Sequence, residues 1–346
     1  MILIVIGLLT FAVAYVFAQS ATRIGFRRRI LDHPSDRSLH HHPVPRTGGL
    51  AVLGAGLVGM VLWSPIIPDT QSSSGSLLLG LIPLVVVSFL DDLYDLSIKW
   101  RLLAHVWAAA LVLAGYAPNS FDLSVFAFPV PAWISGMVAL LFTIWMINLY
   151  NFMDGMDGFA GGMAVIGFST LAWLGRTDES FAGICLTVAA ASAGFLVHNF
   201  PPAKIFMGDT GSTTLGFLAA ACILWGSKSG LFPFWVAILV FSPFIVDATV
   251  TLLRRLLRGE KIWEAHRTHY YQRLVLLGWG HRWTVLAEYV LMLACAGSAA
   301  LAVHLSPAGQ VALAVGWILV YGLLMWGVGR LERRRATVSA LSLIHI

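Results

Sequence analysis

Apolar residues run along this chain in long, evenly spaced blocks separated by short polar links. A helix needs roughly 20 apolar residues to cross a bilayer, more if it tilts. Blocks of that size fall at 2–21, 48–67, 76–92, 100–117, 132–150, 159–175, 180–197, 212–227, 232–253, 283–304 and 309–328. They predict an all-α, polytopic membrane bundle of eleven transmembrane helices. Residues 1–335 read as one integral membrane domain, with no gap wide enough for a separate soluble domain, and 336–346 as a tail.

The positions of the basic residues assign the sides. Of 22 Lys and Arg, 20 fall in alternate connections, and only Arg176 and Lys228 fall in the others. Cytoplasmic loops carry such an excess, so the N-terminus is expected outside and the C-terminus inside. Residues 1–21 lack a basic leading segment and are followed by Arg23, Arg27, Arg28 and Arg29, which predicts an uncleaved first span. The last six residues, 341–346, resemble the translation of a sequencing adapter and are left out of the fold reading.

Composition agrees with this picture. The chain is 58% hydrophobic and 11% charged, against about 25% charged in ordinary soluble domains. The net charge of +5 follows topology and is no nucleic-acid footprint. Cys185, Cys222 and Cys295 lie inside apolar blocks and read as small buried hydrophobes, without disulfide or metal spacing.

Unusual polar residues collect in the inside connections. The densest stretch is 148–159, where Asn148, Asn151, Asp154 and Asp157 sit among glycines at the end of a span. Acceptors beside backbone that permits close approach suit a metal–nucleotide or a sugar. Asp91, Asp92 and Asp95 end the third span; three carboxylates oppose the helix dipole there, which points to a cation or a proton-transfer task. In the first inside loop Arg37, His40 and Arg46 offer donors suited to phosphate, and Gly48-Gly49 opens a helix whose amides could hold an anion. Asp209 stands between Gly208 and Gly211, where an ordinary N-cap is the competing reading. Phe206 and Asn199 could stack on a base and read its edge. His266 and His269, three apart and beside Arg267, suit phosphate better than zinc. Asp247, inside the ninth span, is costly in lipid and should face the bundle interior.

Together these motifs resemble the polyprenyl-phosphate N-acetylhexosamine-1-phosphate transferase family, over about residues 32–272. The resemblance implies transfer of a sugar phosphate from a UDP-N-acetylhexosamine to undecaprenyl or another polyprenyl phosphate, with release of UMP. It places Asp91, Asp92, Asp209, His266 and His269 in catalysis. Asn148, Asn151, Asp154, Asp157, Asn199, Phe206, Arg37, Arg46 and Arg267 fall in substrate binding. Mg²⁺, with Mn²⁺ as the alternative, would sit on Asp209, Asp91 and Asp92. Partners are then the UDP-sugar, the polyprenyl phosphate and membrane lipids, with no nucleic acid; the oligomeric state, a homodimer included, stays open. The expected location is the bacterial inner membrane, with the catalytic face cytoplasmic. Asp95, where the pentapeptide transferases tend to carry Lys, and the His266–His269 string point towards the initiators of O-antigen and capsule synthesis. An intramembrane prenyltransferase would instead need two similar Asp-rich clusters and no nucleotide loop. A lipid or solute transporter would need polar residues at mid-membrane, where only Asp247 clearly qualifies.

Overall fold

The computed structural model describes the chain apart from residues 1, 29, 35–37, 41, 64–72, 117–130, 262–263, 265 and 345–346; at 28, 73–76 and 336–344 it describes backbone alone. Every expected span falls on a helix. They are α1 (Ile2–Arg28), α2 (Gly48–Trp63), α3 (Ser73–Tyr94), α4 (Ile98–Tyr116), α5 (Ala132–Met153), α6 (Phe159–Leu174), α7 (Glu179–Asn199), α8 (Gly208–Lys228), α9 (Phe234–Val240) with α10 (Ser242–Leu257), then, after a short α11 (Tyr270–Leu274), α12 (Gly280–Ala302) and α13 (Pro307–Ile344). The protein is an all-α, multi-pass membrane bundle. The departures among the described residues are a two-stranded ribbon, Leu31–Asp32 against Val44–Pro45, closing the first loop, and a π-helical turn, Val275–Trp279, between α11 and α12.

Length and apolarity alone qualify seven of these helices as spans, or eight when α9 and α10, bent by 82°, count as one. The expected eleven is larger for physical reasons. α2 and α6 have 16 residues each, about 24 Å at 1.5 Å per residue, short of a hydrocarbon core of about 30 Å. α8 carries Asp209, Thr210, Ser212, Thr213 and Thr214 in its first turns, and nearly all of it is buried. It is the post around which α2, α3, α5 and α4 pack. Its hydroxyls are satisfied within the bundle: Thr213 Oγ1 lies 2.9 Å from Ser88 Oγ of α3, and Thr214 donates to Thr210 O at 2.7 Å. At one point α2 and α8 meet backbone to backbone; a Cβ on Gly49 would lie 2.3 Å from Gly211 N.

The α9–α10 break falls at Phe241, just before Pro243, a residue that cannot extend a preceding helix. Beyond it, α10 carries Leu253, Leu256 and Leu257 exposed and Arg254 and Arg255 in its last turn. These leucines face outward, while Arg255 is buried.

Candidate active site

The ends of α3, α5, α7 and α8, the first loop and the start of α12 enclose a cavity of about 360 Å³. Asp92, Asn151, Asp154, Asp157, Asn199, Phe206, Asp209 and Arg46 all line it. These residues come from widely separated stretches, and all belong to connections at one end of the bundle. Arg37 lies outside the described residues.

The two carboxylates at the end of α3 diverge. Asp92 turns onto the N-terminus of α8, where its Oδ1 accepts from Asp209 N at 2.9 Å and its Oδ2 from Thr210 N at 2.9 Å. Thr210 Oγ1 adds a third bond, 2.6 Å to Oδ2. The charge that opposes the dipole of α3 is thus placed on the positive end of α8. Asp209 is not itself the cap; that place belongs to Met207, and Asp92 reaches across from another helix. Gly208 permits this with φ at +72°, and a Cβ there would press 2.9 Å from Asp92 Oδ1. Asp91 accepts from Leu96 N at 2.7 Å, pairs with Arg101 at 3.3 Å and faces the Asp209 carboxyl within hydrogen-bonding reach. Asp95 departs from the helical register expected for it: α3 ends at Tyr94, and Asp95 has φ +50° and is exposed.

On the other wall, Asp157 accepts from Ala203 N at 2.9 Å and pairs with His281 Nδ1 at 3.0 Å. His281 also reaches Leu39 O, 3.2 Å from Nε2, so it ties the α5–α6 link to the first loop. Asp154, partly open to the cavity, has its carboxyl held well above the usual range by burial, and then by the charges of Asp209 and Asp92. Arg46 is the cation among these acids, and among the described residues its Nε is buried without a hydrogen-bond partner. His40 lies 3.6 Å from Asp32 and packs edge-on to Phe206, ring centroids 4.9 Å apart.

The structure gives several of the expected residues protein partners of their own. The amides of Gly48 and Gly49 are not open to an anion, because they donate to Phe206 O at 2.9 Å and Met207 O at 2.7 Å. Asn199 reads backbone: its Oδ1 accepts from Gly158 N at 3.0 Å and its Nδ2 donates to Ile205 O at 2.9 Å. It lines the cavity as a brace between two links. Asn148 stays below, its Nδ2 at 3.1 Å from His105 Nδ1 and 2.7 Å from Ile144 O. His269 is buried, with Nδ1 3.3 Å from Asp247 Oδ1. Asp247 is the anchor of this loop, accepting also from Tyr270 N at 2.9 Å and Tyr271 N at 3.0 Å. His266 packs on the His269 ring at 4.8 Å; burial, and then His269 and Arg255, push its imidazole down to about 4. Arg267 opens onto a different cavity. Neither His266 nor His269 is among the residues lining the cavity.

Sequence reasoning missed His281 and Gln272, which line the cavity. Gln272 could have been suspected from its place three residues after His269, where it closes a capping box. Nothing around His281 marks it.

Among the described residues no group of three or more His, Cys, Asp or Glu has the arrangement to hold a metal by itself. Mg²⁺ commonly takes only one or two carboxylates and completes its shell with phosphates and water. Asp209, which lines the cavity together with Asp92, Asp154 and Asp157, and Asp91, buried behind it with its carboxyl facing that of Asp209, fit that mode of binding.

Comparison with known proteins agrees with the motifs. The sequence model of glycosyl transferase family 4 matches residues 74–227, which include Asp91, Asp92, the 148–159 stretch and Asp209. The "Probable undecaprenyl-phosphate N-acetylglucosaminyl 1-phosphate transferase" of Bacillus subtilis is 34% identical over 281 residues, 78% of this chain and 76% of the relative. Decaprenyl-phosphate N-acetylglucosaminephosphotransferase of Mycobacterium tuberculosis is 28% identical over 348 residues, 91% of this chain and 86% of the relative. Phospho-N-acetylmuramoyl-pentapeptide-transferase of Geobacillus kaustophilus is 28% identical over 304 residues, 82% and 90%. The chain belongs to glycosyl transferase family 4.

Proposed function

We propose that this protein transfers an N-acetylhexosamine 1-phosphate from a UDP-N-acetylhexosamine to a polyprenyl phosphate, with undecaprenyl phosphate as the expected acceptor. The observation that carries the reading is a cavity at one end of a membrane bundle in which Arg46 Nε, buried without a hydrogen-bond partner among the described residues, stands among carboxylates. The names of the relatives support N-acetylglucosamine as the sugar to try first. The product would begin a cell-surface polysaccharide, and the branch that initiates O-antigen or capsule rests on the His266–His269 string and on Asp95.

An oxygen of the lipid phosphate attacks the sugar-bearing phosphorus of the donor. A new phosphoanhydride bond forms, the bond to the UMP oxygen breaks, and UMP leaves. A phosphate monoester with a second pKa of about 6 is largely dianionic at pH 7, so proton removal supplies little driving force. The difficulty is the approach of two anions in an acidic cavity. Asp91 and Asp209 would hold Mg²⁺, which when bound supplies the charge that neutralises the donor diphosphate. Arg46 binds a phosphate oxygen through its free Nε. Asp92, its acceptors filled by α8, sets the position of Asp209. Phe206 offers an aromatic face and Asn151 an amide to the nucleoside or sugar.

In this reading the chain has eleven spans in the bacterial inner membrane, and the basic residues support placing this cavity on the cytoplasmic face. Every lining residue lies in, or beside, a connection on the basic-rich side. The test supplies purified protein with undecaprenyl phosphate, Mg²⁺ and UDP-N-acetylhexosamines labelled in the sugar-bearing phosphate. Label should move to the organic phase with matching UMP release for at least one donor. No transfer across the panel would contradict the assignment.

A further inference from the structure

A second polar cavity, about 350 Å³, lies between the end of α10, the 267–270 loop and α13. It shares no lining residue with the candidate active site. Five arginines line it (254, 255, 258, 267 and 273) against a single carboxylate, Glu332. Glu332 is already committed, taking Arg273 in a fork at 2.7 and 2.5 Å. Arg254 rests on the Tyr270 hydroxyl, and Arg267 makes no ion pair among the described residues.

Arg255 is the informative member. It is 7% exposed, yet only part of its guanidinium is satisfied. Nη2 donates to Lys261 O at 3.0 Å and Nε lies 3.1 Å from Glu260, while Nη1 is buried without a hydrogen-bond partner among the described residues. A buried charged donor left unmade is costly. Glu260, which also lies 3.8 Å from Arg258, offsets part of the charge, and the four other arginines raise that cost unless a further anion is present. Several guanidinium forks converging on one space match the oxygens of a phosphate.

What kind of phosphate follows from the neighbouring space. An adjoining cavity, about 530 Å³, shares Arg254, Arg258, Arg273 and Glu332 and continues along α13 past Gly322, Met325, Trp326 and Gly329. Small and apolar residues there leave a trough beside a basic head, with Trp326 exposed and Arg330 over its ring at 4.4 Å. Tryptophan and arginine at the edge of an apolar span mark the headgroup level of a bilayer. The exposed leucines of α10 lie beside the same basic end. We propose that this site holds an anionic phospholipid, its phosphate under the five arginines and an acyl chain along α13. The ligand joins α10 and its loop to α13. The inference rests on the membrane fold and not on the transfer reaction.

The test uses full-length protein in neutral detergent, stripped of lipid, and its Arg254→Gln/Arg258→Gln variant. Native mass spectrometry and thermal unfolding follow addition of phosphatidylglycerol, phosphatidylcholine, undecaprenyl phosphate or inorganic phosphate. Wild type should retain one phosphatidylglycerol and unfold at a higher temperature with it, while phosphatidylcholine does neither. At about 1 kcal/mol per basic residue near an anionic lipid, removing two should weaken retention roughly 30-fold. Comparable unfolding temperatures for the two proteins without lipid would show that the variant still folds. Equal retention of phosphatidylglycerol and phosphatidylcholine would overturn the proposal, as would retention unchanged in the variant. So would a response to inorganic phosphate alone, which assigns the pocket to a soluble anion, or to undecaprenyl phosphate alone, which assigns it to the acceptor. A variant unfolded without lipid is replaced by Arg258→Gln alone, for which about a fivefold weakening is expected and none would refute.

Discussion

Replacing Asp92 by Asn separates positioning from direct chemistry. The carboxylate is 5% exposed and accepts three bonds, from Asp209 N, Thr210 N and Thr210 Oγ1. An Asn presents one oxygen and turns an NH₂ towards a donor, so at least one backbone N–H of α8 loses its acceptor. Losing a helix cap costs about 1 kcal/mol, up to about 2, and a hydrogen bond to a charged group is worth about 1.5–3. A net loss of about 2–4 kcal/mol at the first turn of α8 is expected. That turn carries Asp209, and a shift of about 1 Å in a reacting group can cost about 100-fold in rate. Asp92→Asn should therefore lower kcat about 100-fold and lower the unfolding temperature. Asp209→Asn should abolish turnover while leaving the unfolding temperature unchanged or raised, since it relieves the facing Asp91. The assay is UMP release beside thermal unfolding of the same preparations. Wild-type unfolding with lost turnover in Asp92→Asn would make Asp92 a direct participant; wild-type turnover would refute both roles.

Other outcomes follow from the same contacts. His281→Ala frees Asp157 and Leu39 and should raise the donor KM about tenfold with a smaller change in kcat, whereas His281→Gln should recover part of the loss; equal kinetics in all three proteins would show that the tie does not order the donor site. Gly49→Ala sets a Cβ 2.3 Å from Gly211 N, and overpacking of about 1–3 kcal/mol or more should appear as a lower unfolding temperature; an unchanged one would refute the close approach. His266 binds its proton at about 4 in the folded protein, below the ordinary value near 6.5, so stability is complete above that ordinary value and falls as pH drops towards 4. The acid-side fall in unfolding temperature should be smaller in His266→Gln, and equal falls would refute the buried imidazole.

The spans were legible because long apolar blocks have few other uses, and the glycine-flanked Asp209 and the 148–159 stretch stand out against so little polarity. Partner choice was not legible. Asp91 and Asp92 are adjacent in sequence, yet one faces Arg101 and Asp209 and the other caps α8 from 117 residues away. Nothing in the His266–His269 string reveals that Asp247, 22 residues earlier in α10, holds His269. Donors that looked open at Gly48 and Gly49 are filled by carbonyls of the α7–α8 link. Asn199 was ambiguous for a related reason: an amide suits a base edge and a pair of backbone groups equally well, and only the fold shows the bonds to Gly158 and Ile205. His281 has no local signature, since its role depends on Asp157 and Leu39 arriving from elsewhere.

The transfer of phosphorus to lipid is tested most directly by isotope exchange. Purified protein receives unlabelled UDP-N-acetylglucosamine, undecaprenyl phosphate, Mg²⁺ and labelled UMP. Exchange of one phosphoanhydride for another is near balanced, so label should enter the UDP-sugar only when the lipid phosphate is present, and not with Asp209→Asn. Product formation in which UMP never returns to the nucleotide sugar, or exchange that persists without Asp209, would contradict the account.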